Sequence, residues 1–139
     1  MNLPSSTSRR QARRDAMVVL YQHDLTGGEL EGLYENLEGR EEHELEPYTR
    51  EVVEGVLASQ VEIDGLIDAS ADNWTASRMA ALERNILRLA IYEIRYRDDV
   101  PAEVSIDEAV ELARRFCSNE AGSLINGVLS NVADGEVKN

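Results

Sequence analysis

A single cysteine, Cys117, excludes an intrachain disulfide and makes a reducing, cytoplasmic compartment the simpler expectation. No run of eighteen apolar residues occurs, and residues 1–8 lack the hydrophobic segment of a signal peptide, so neither a membrane span nor export is expected. The two histidines, His23 and His43, have no histidine or cysteine at ligand spacing, and Cys117 has no histidine near it in sequence. Neither a zinc site nor a thiol nucleophile is therefore supported. Carboxylates abound, but no glycine-rich phosphate loop or metal-binding motif accompanies them, so no cofactor, no metal and no catalysis are expected. Basic side chains are scarce: 14 against 27 acidic ones, for a net charge of −13. Self-repulsion of this size favours solubility, and the acidic faces favour basic protein partners over duplex DNA. The acidic proteome of a salt-adapted organism would give the same balance. Repeats and low-complexity segments are absent, and 139 residues are enough for one domain with a core that needs no staples.

What is present is concentrated at the start. Arg9, Arg10, Arg13 and Arg14 lie in the first fourteen residues, which contain no acid, and without them the net charge would be −17. At about 100° per residue from Arg9, residues Ala12, Ala16, Val19, Leu20 and His23 fall between roughly −80° and +20°. Arg10, Arg13, Arg14 and Tyr21 fall between roughly 40° and 140°, so a basic stripe borders an apolar one. Guanidinium forks can grip phosphates, and Tyr21, two to three turns further on, offers a base a stacking surface. Single-stranded RNA recognition asks for that combination. The alternative is a solvated helix with a frayed basic tip. The docking surface also requires that these guanidinium groups stand clear of intramolecular carboxylates.

Apolar residues recur at helical spacing almost throughout, and no segment shows the two-residue alternation of a half-buried strand, which predicts an all-α fold: a single compact domain of about six or seven helices spanning 1–139, with residues 1–8 disordered. The first helix covers 8–25 and stops at Gly27-Gly28. Leu30, Leu33, Tyr34 and Leu37 mark a short second helix ended by Gly39, and an acidic loop from Glu41 to Glu46 follows. Pro47 suits the first turn of a third helix, which runs to about Ala69 with a kink near Ser59 and is weakened locally by Gly55 and Gly65. Trp74, in a polar connection, is expected to plug a core edge. From Met79 to Tyr96 apolar positions surround most of the helix, which places it in the middle of the fold. Arg88 and Glu93 in that helix must be paired if buried, and a structural ion network is favoured over an RNA surface extended through Arg84, Arg88 and Arg95. Beyond Pro101, Ser105 and Glu108 read as a capping box opening a helix whose core face ends at Phe116. A last helix spans about Glu120 to Ala133, with Gly135 where it would stop, and Asn126-Gly127 suggests close helix packing.

Ala12-Arg13, Leu20-Tyr21, Trp74, the block Glu83 to Glu93, the Val100-Pro101 turn, Ile106 to Ala113 and Asn126 to Leu129 occur in an order and spacing that resembles the NusB family of bacterial transcription antitermination factors. The resemblance runs nearly end to end. It implies an all-helical, non-catalytic adaptor that binds the boxA segment of nascent RNA together with the ribosomal protein NusE. Such an adaptor helps the RNA polymerase antitermination complex read through terminators in ribosomal RNA operons. It maps RNA contacts to Arg9, Arg10 and Arg13, with Tyr21 on the same face. Arg14 departs from the family, where an acid is frequent, and Gln11 interrupts a run that is often all arginine. The family's last-helix contacts, a basic residue and a phenylalanine, are replaced here by Ser123 and Leu124, so weaker or differently shared RNA binding is expected.

For the protein partner the resemblance points to Glu83, Arg84 and Glu120. Two alternatives stand beside the leading one. A NusB-like targeting domain is elsewhere fused to an RNA cytosine methyltransferase, but this chain ends at Asn139 without a methyl-donor domain and is not expected to be that enzyme. A homodimeric storage form would partly cover the first helix.

Overall fold

The computed structural model describes residues 6–71 and 74–137, and side chains between 8 and 135 within those spans. Among them are seven α-helices and no strand: α1 (Ser6–Thr26), α2 (Leu30–Glu41), α3 (Pro47–Ala58), α4 (Gln60–Ser70), α5 (Ala81–Tyr96), α6 (Ala102–Phe116) and α7 (Asn119–Val137). A single 3-10 turn at Ala76–Arg78 leads into α5. Residues 1–5, where most of the expected disorder falls, lie outside the described residues; by Ser6 the chain is helical.

The dense apolar pattern of α5 puts it at the centre. Ile86, Leu87, Ala90 and Ile91 have no exposed surface, and α5 packs against α1, α3, α4, α6 and α7. Burial on most sides is what a helix with apolar residues around most of its circumference requires. α1 lies across α5 and α3 through Ala12, Ala16, Val19 and Leu20, the apolar stripe read from its spacing. α6 and α7, joined through Cys117 and Ser118, form a helical hairpin packed on α5.

Several boundaries differ from the expectation, each for a physical reason. The kink expected near Ser59 is a complete break: Ser59 has φ −115° and ψ 16°, leaves the helix, and donates its N–H to the carbonyls of Gly55 and Val56. Helix α2 continues past Gly39 to Glu41 and ends where Glu42 adopts a left-handed conformation, φ 57°, with its N–H on the Glu38 carbonyl. The last helix likewise passes through Gly135 to Val137, since a glycine lowers helix propensity without forbidding the helix.

The capping box is overturned. Helix α6 starts four residues earlier, at Ala102 behind Pro101, so Ser105 is an interior helical residue, buried and with its Oγ unbonded. Glu108 is thereby freed for α1. Trp74 is 45% exposed and does not plug the core. Nor does Gly127 mark a tight crossing, because a Cβ built there meets nothing within 4 Å. The close approach is at Gly55, where a Cβ would lie 2.3 Å from the Tyr92 ring and where α3 therefore sits directly against α5.

Candidate nucleic-acid interface

The four arginines of α1 do not share one environment. Arg13 is turned inward: its side chain is 5% exposed and its Nε donates to both oxygens of Glu93, at 2.9 and 3.1 Å, on the central helix. Glu93 has no exposed surface, and the Tyr48 hydroxyl of α3 donates to the same carboxylate. Burial, with the Glu93 charge beside it, pushes the Tyr48 hydroxyl up from its ordinary value and keeps it a donor. Arg9 lies flat on the Tyr48 ring, its Cζ 3.7 Å from the centroid, with its Nε buried and unbonded. Arg9 and Arg13 thus belong to a joint between α1, α3 and α5. The expectation that Arg13 lies on the outward stripe is corrected: its position at the stripe's edge left either face open, and Glu93, 80 residues away, draws it in.

Arg10 and Arg14 face outward, but the expectation that the α1 guanidinium groups stand clear of intramolecular carboxylates is corrected: Arg10, Arg13 and Arg14 are each paired with one. Arg10 is 69% exposed and its Nε sits 3.1 Å from Glu108 Oε1 of α6. Glu108 also lies 3.5 Å from Arg13 Nη1. Arg14 is 38% exposed and reaches Glu41 at the end of α2 over 3.6 Å. Exposed pairs of this kind contribute only about 0–1 kcal/mol, so both guanidinium groups remain exchangeable. Between α1 and α6 an open groove of about 480 Å³ is lined by Arg10, Arg14, Arg115 and Phe116, with Asp107, Glu108 and Glu111 along one wall.

Phe116, expected on the core face of its helix, is 39% exposed and lines this groove. The Arg14 and Arg115 guanidinium carbons lie 6.0 and 5.7 Å from its ring centre. Sequence reasoning missed Phe116 and Arg115 as site residues. The available signal was weak: both are in the final turn of α6, where the core stripe runs out. Tyr21 is half-buried on α1, seven residues beyond Arg14 and hence on the same side. Gln11 is spent on Asp15. At the tip of α7, Ser123 is exposed while Leu124 packs against the core.

The arginines of α5 form the ion network favoured over an RNA surface. Arg88, buried, grips Asp64 with two parallel bonds of 2.8 Å and reaches Asp24 at 3.2 Å. Arg84 bonds Asp24 at 2.9 Å and holds the carbonyls of Ala76 and Met79 around the 3-10 turn. Burial raises the Asp24 carboxyl, but hydrogen bonds from Arg84 and Asn85 and the two guanidinium charges outweigh it and hold the group below its usual value. Arg95 pairs with Glu62. Of the residues assigned to a protein partner, Arg84 is therefore committed internally. Glu83 is half-buried near Cys117, whose thiol is pushed up first by burial and then by the Glu83 charge, and Glu120 is exposed at the start of α7. Among the described residues no group of three or more His, Cys, Asp or Glu side chains is placed to hold a metal, and no helix is long and apolar enough to cross a membrane.

Comparison with known proteins bears on the whole chain. The family model described as NusB family matches residues 10–134. The chain is 45% identical over 138 residues to the transcription antitermination protein NusB of Desulfotalea psychrophila, covering 89% of this chain and 94% of that one. It is 43% identical over 125 residues to the protein of the same name from Oceanobacillus iheyensis, covering 90% and 98%. Among solved structures, T. maritima NusB superposes with a TM-score of 0.79 at 31% identity, covering 96% of this chain and 93% of that one. A crystal structure of the antitermination factors NusB and NusE in complex with dsRNA superposes with a TM-score of 0.85 at 25% identity, covering 94% and 99%. With a family model matched over residues 10–134 and a relative 45% identical over 138 residues, the chain belongs to the NusB family.

Proposed function

We propose that this chain is a transcription antitermination factor: a non-catalytic cytoplasmic adaptor that binds boxA-type single-stranded RNA jointly with the ribosomal protein NusE. In this reading it acts in the RNA polymerase antitermination complex on ribosomal RNA operons. The observation that carries the reading is the α1/α6 groove, lined by Arg10, Arg14 and Arg115, with the last two beside the exposed Phe116 ring. Phosphates take the guanidinium groups, and bases take the Phe116 and Tyr21 rings. The related NusB and NusE structure carries double-stranded RNA; preference for a single strand is this proposal's own, because only unstacked bases can lie on the two rings. NusE is assigned to the face around Glu83 and Glu120, whose carboxylates suit a basic ribosomal protein. Arg9 and Arg13 support the reading by fixing α1, and Arg10 and Arg14 by meeting the strand.

The test is a titration of boxA RNA, as a single strand and as a duplex, against this protein alone and with NusE. Single-strand binding that NusE tightens supports the proposal. Equal affinity for both RNAs, or none with NusE present, would reject it.

A further inference from the structure

Glu108 stands between two arginines of α1. Its carboxylate, 16% exposed on α6, bridges the Nε of Arg10 at 3.1 and 3.3 Å and Nη1 of Arg13 at 3.5 Å. Of these two cations Arg13 already has a second carboxylate, Glu93, which accepts from its Nε, so Glu108 is not its sole counter-charge. Arg10 is 69% exposed, and among the described residues Glu108 is its one ion-pair partner. The more exposed of the two outward α1 guanidinium groups is thus held by a group that shares the features of an RNA phosphate: anionic, two-oxygened and accepting from Nε. Asp107 and Glu111 flank it on the same helix, so the groove at rest is close to charge-balanced against Arg10, Arg14 and Arg115.

Resting on the RNA-binding reading above, we propose that Glu108 is a built-in competitor for the RNA phosphate at Arg10 and sets the affinity of the groove. Binding is then an exchange. The strand's phosphate replaces the Glu108 carboxylate on Arg10, and the displaced carboxylate stays in the groove as a like charge beside the strand. Only a ligand that makes further contacts, phosphates on Arg14 and Arg115 and bases on Phe116, recovers that cost. Isolated phosphates and short unspecific strands do not. Glu108 therefore removes weak binders while leaving Arg10 available to the correct one. Glu111 makes no such bond to Arg10 and acts only through its charge.

The probes are boxA RNA and a scrambled single strand of equal length, titrated at two salt concentrations against the wild type, E108Q, E111Q and R10A, and against E108Q combined with R10A. E108Q is expected to tighten both RNAs by roughly three- to tenfold, the scrambled strand more, with a smaller gain for E111Q. Combining E108Q with R10A should erase the gain. Equal gains in E108Q and E111Q, or a gain that survives R10A, would overturn the proposal by showing that general charge alone acts. A wild type that binds RNA through Arg10, with E108Q unchanged, would overturn it while leaving the RNA-binding reading intact; a wild type that binds no RNA would overturn both. Should E108Q fail to fold, the wild type still decides: on adding RNA the Arg10 Nε–H resonance should shift while that of Arg13 stays, and an unmoved Arg10 signal would overturn the exchange.

Discussion

Arg10 and Arg13 carry the same charge on one helix, yet substituting each should register in a different assay. Truncating Arg13 leaves the fully buried Glu93 without its cation, and removing one partner of such a pair costs about 3–5 kcal/mol. R13A should therefore shift the urea midpoint strongly, and any loss of RNA affinity should follow the loss of fold. R10A removes an exposed side chain; stability should change by about 0.5 kcal/mol or less, while affinity for boxA RNA falls about tenfold with its charge-assisted phosphate contact. A normal melt with unchanged affinity in R10A would contradict the assignment. His43 offers a pH test. Its Nε2 meets Asp15 Oδ2 at 3.1 Å, and that hydrogen bond outweighs desolvation and, with the Asp15 charge, raises the imidazole above its ordinary value of 6.5. A raised folded value means the stabilisation is complete below the unfolded value and disappears as pH rises through the folded one. The stability gap between wild type and H43A should narrow as pH is raised above neutrality, and a gap that widened would have the wrong sign.

Two glycines in helices should answer the same substitution with opposite signs. In α3, Gly55 faces the Tyr92 ring so closely that a Cβ would sit 2.3 Å from it, so G55A must push the ring or the helices apart. Overpacking of this kind costs about 1–3 kcal/mol, read as a lowered thermal midpoint. In α7, Gly127 is exposed with open space where a Cβ would go, and G127A should stabilise by about 0.5–1 kcal/mol through helix propensity alone. If both variants melted alike, the close contact between α3 and α5 would be in error. The early start of α6 is an event of the same kind: by beginning at Ala102 the helix buries Ser105 and swings Glu108 toward α1, so that one helix end decides a groove wall.

A molecule with a net charge of −13 can attract RNA only over a short range, because the local basic cluster is screened by distance from an acidic whole. If Arg10, Arg14 and Arg115 each neutralise one phosphate of a single strand, the logarithmic salt slope of binding should be about −2. A flat response would remove phosphate contact from the function. The same acidity suits the face near Glu83 and Glu120 to a basic partner, and NusE binding should likewise weaken as salt rises.

Helix content, the central place of α5, the apolar face of α1 and the isolation of four arginines in an acidic chain could all be read along the residues. Each depends on neighbours three or four positions away, and the helical repeat makes that information local. The burial of Arg88 and Glu93 in paired form was legible for a related reason, since charges in a helix apolar on nearly every side have no alternative. Which arginine stays open to a ligand depended on the packed molecule. Arg13 is claimed by Glu93 from 80 residues away and Arg10 is shared with Glu108 from 98, distances over which no periodic pattern carries a signal. The partner of a side chain is settled when helices cross, and only then did Arg13 become part of the frame and Arg10, beside Glu108 and Phe116, part of the site.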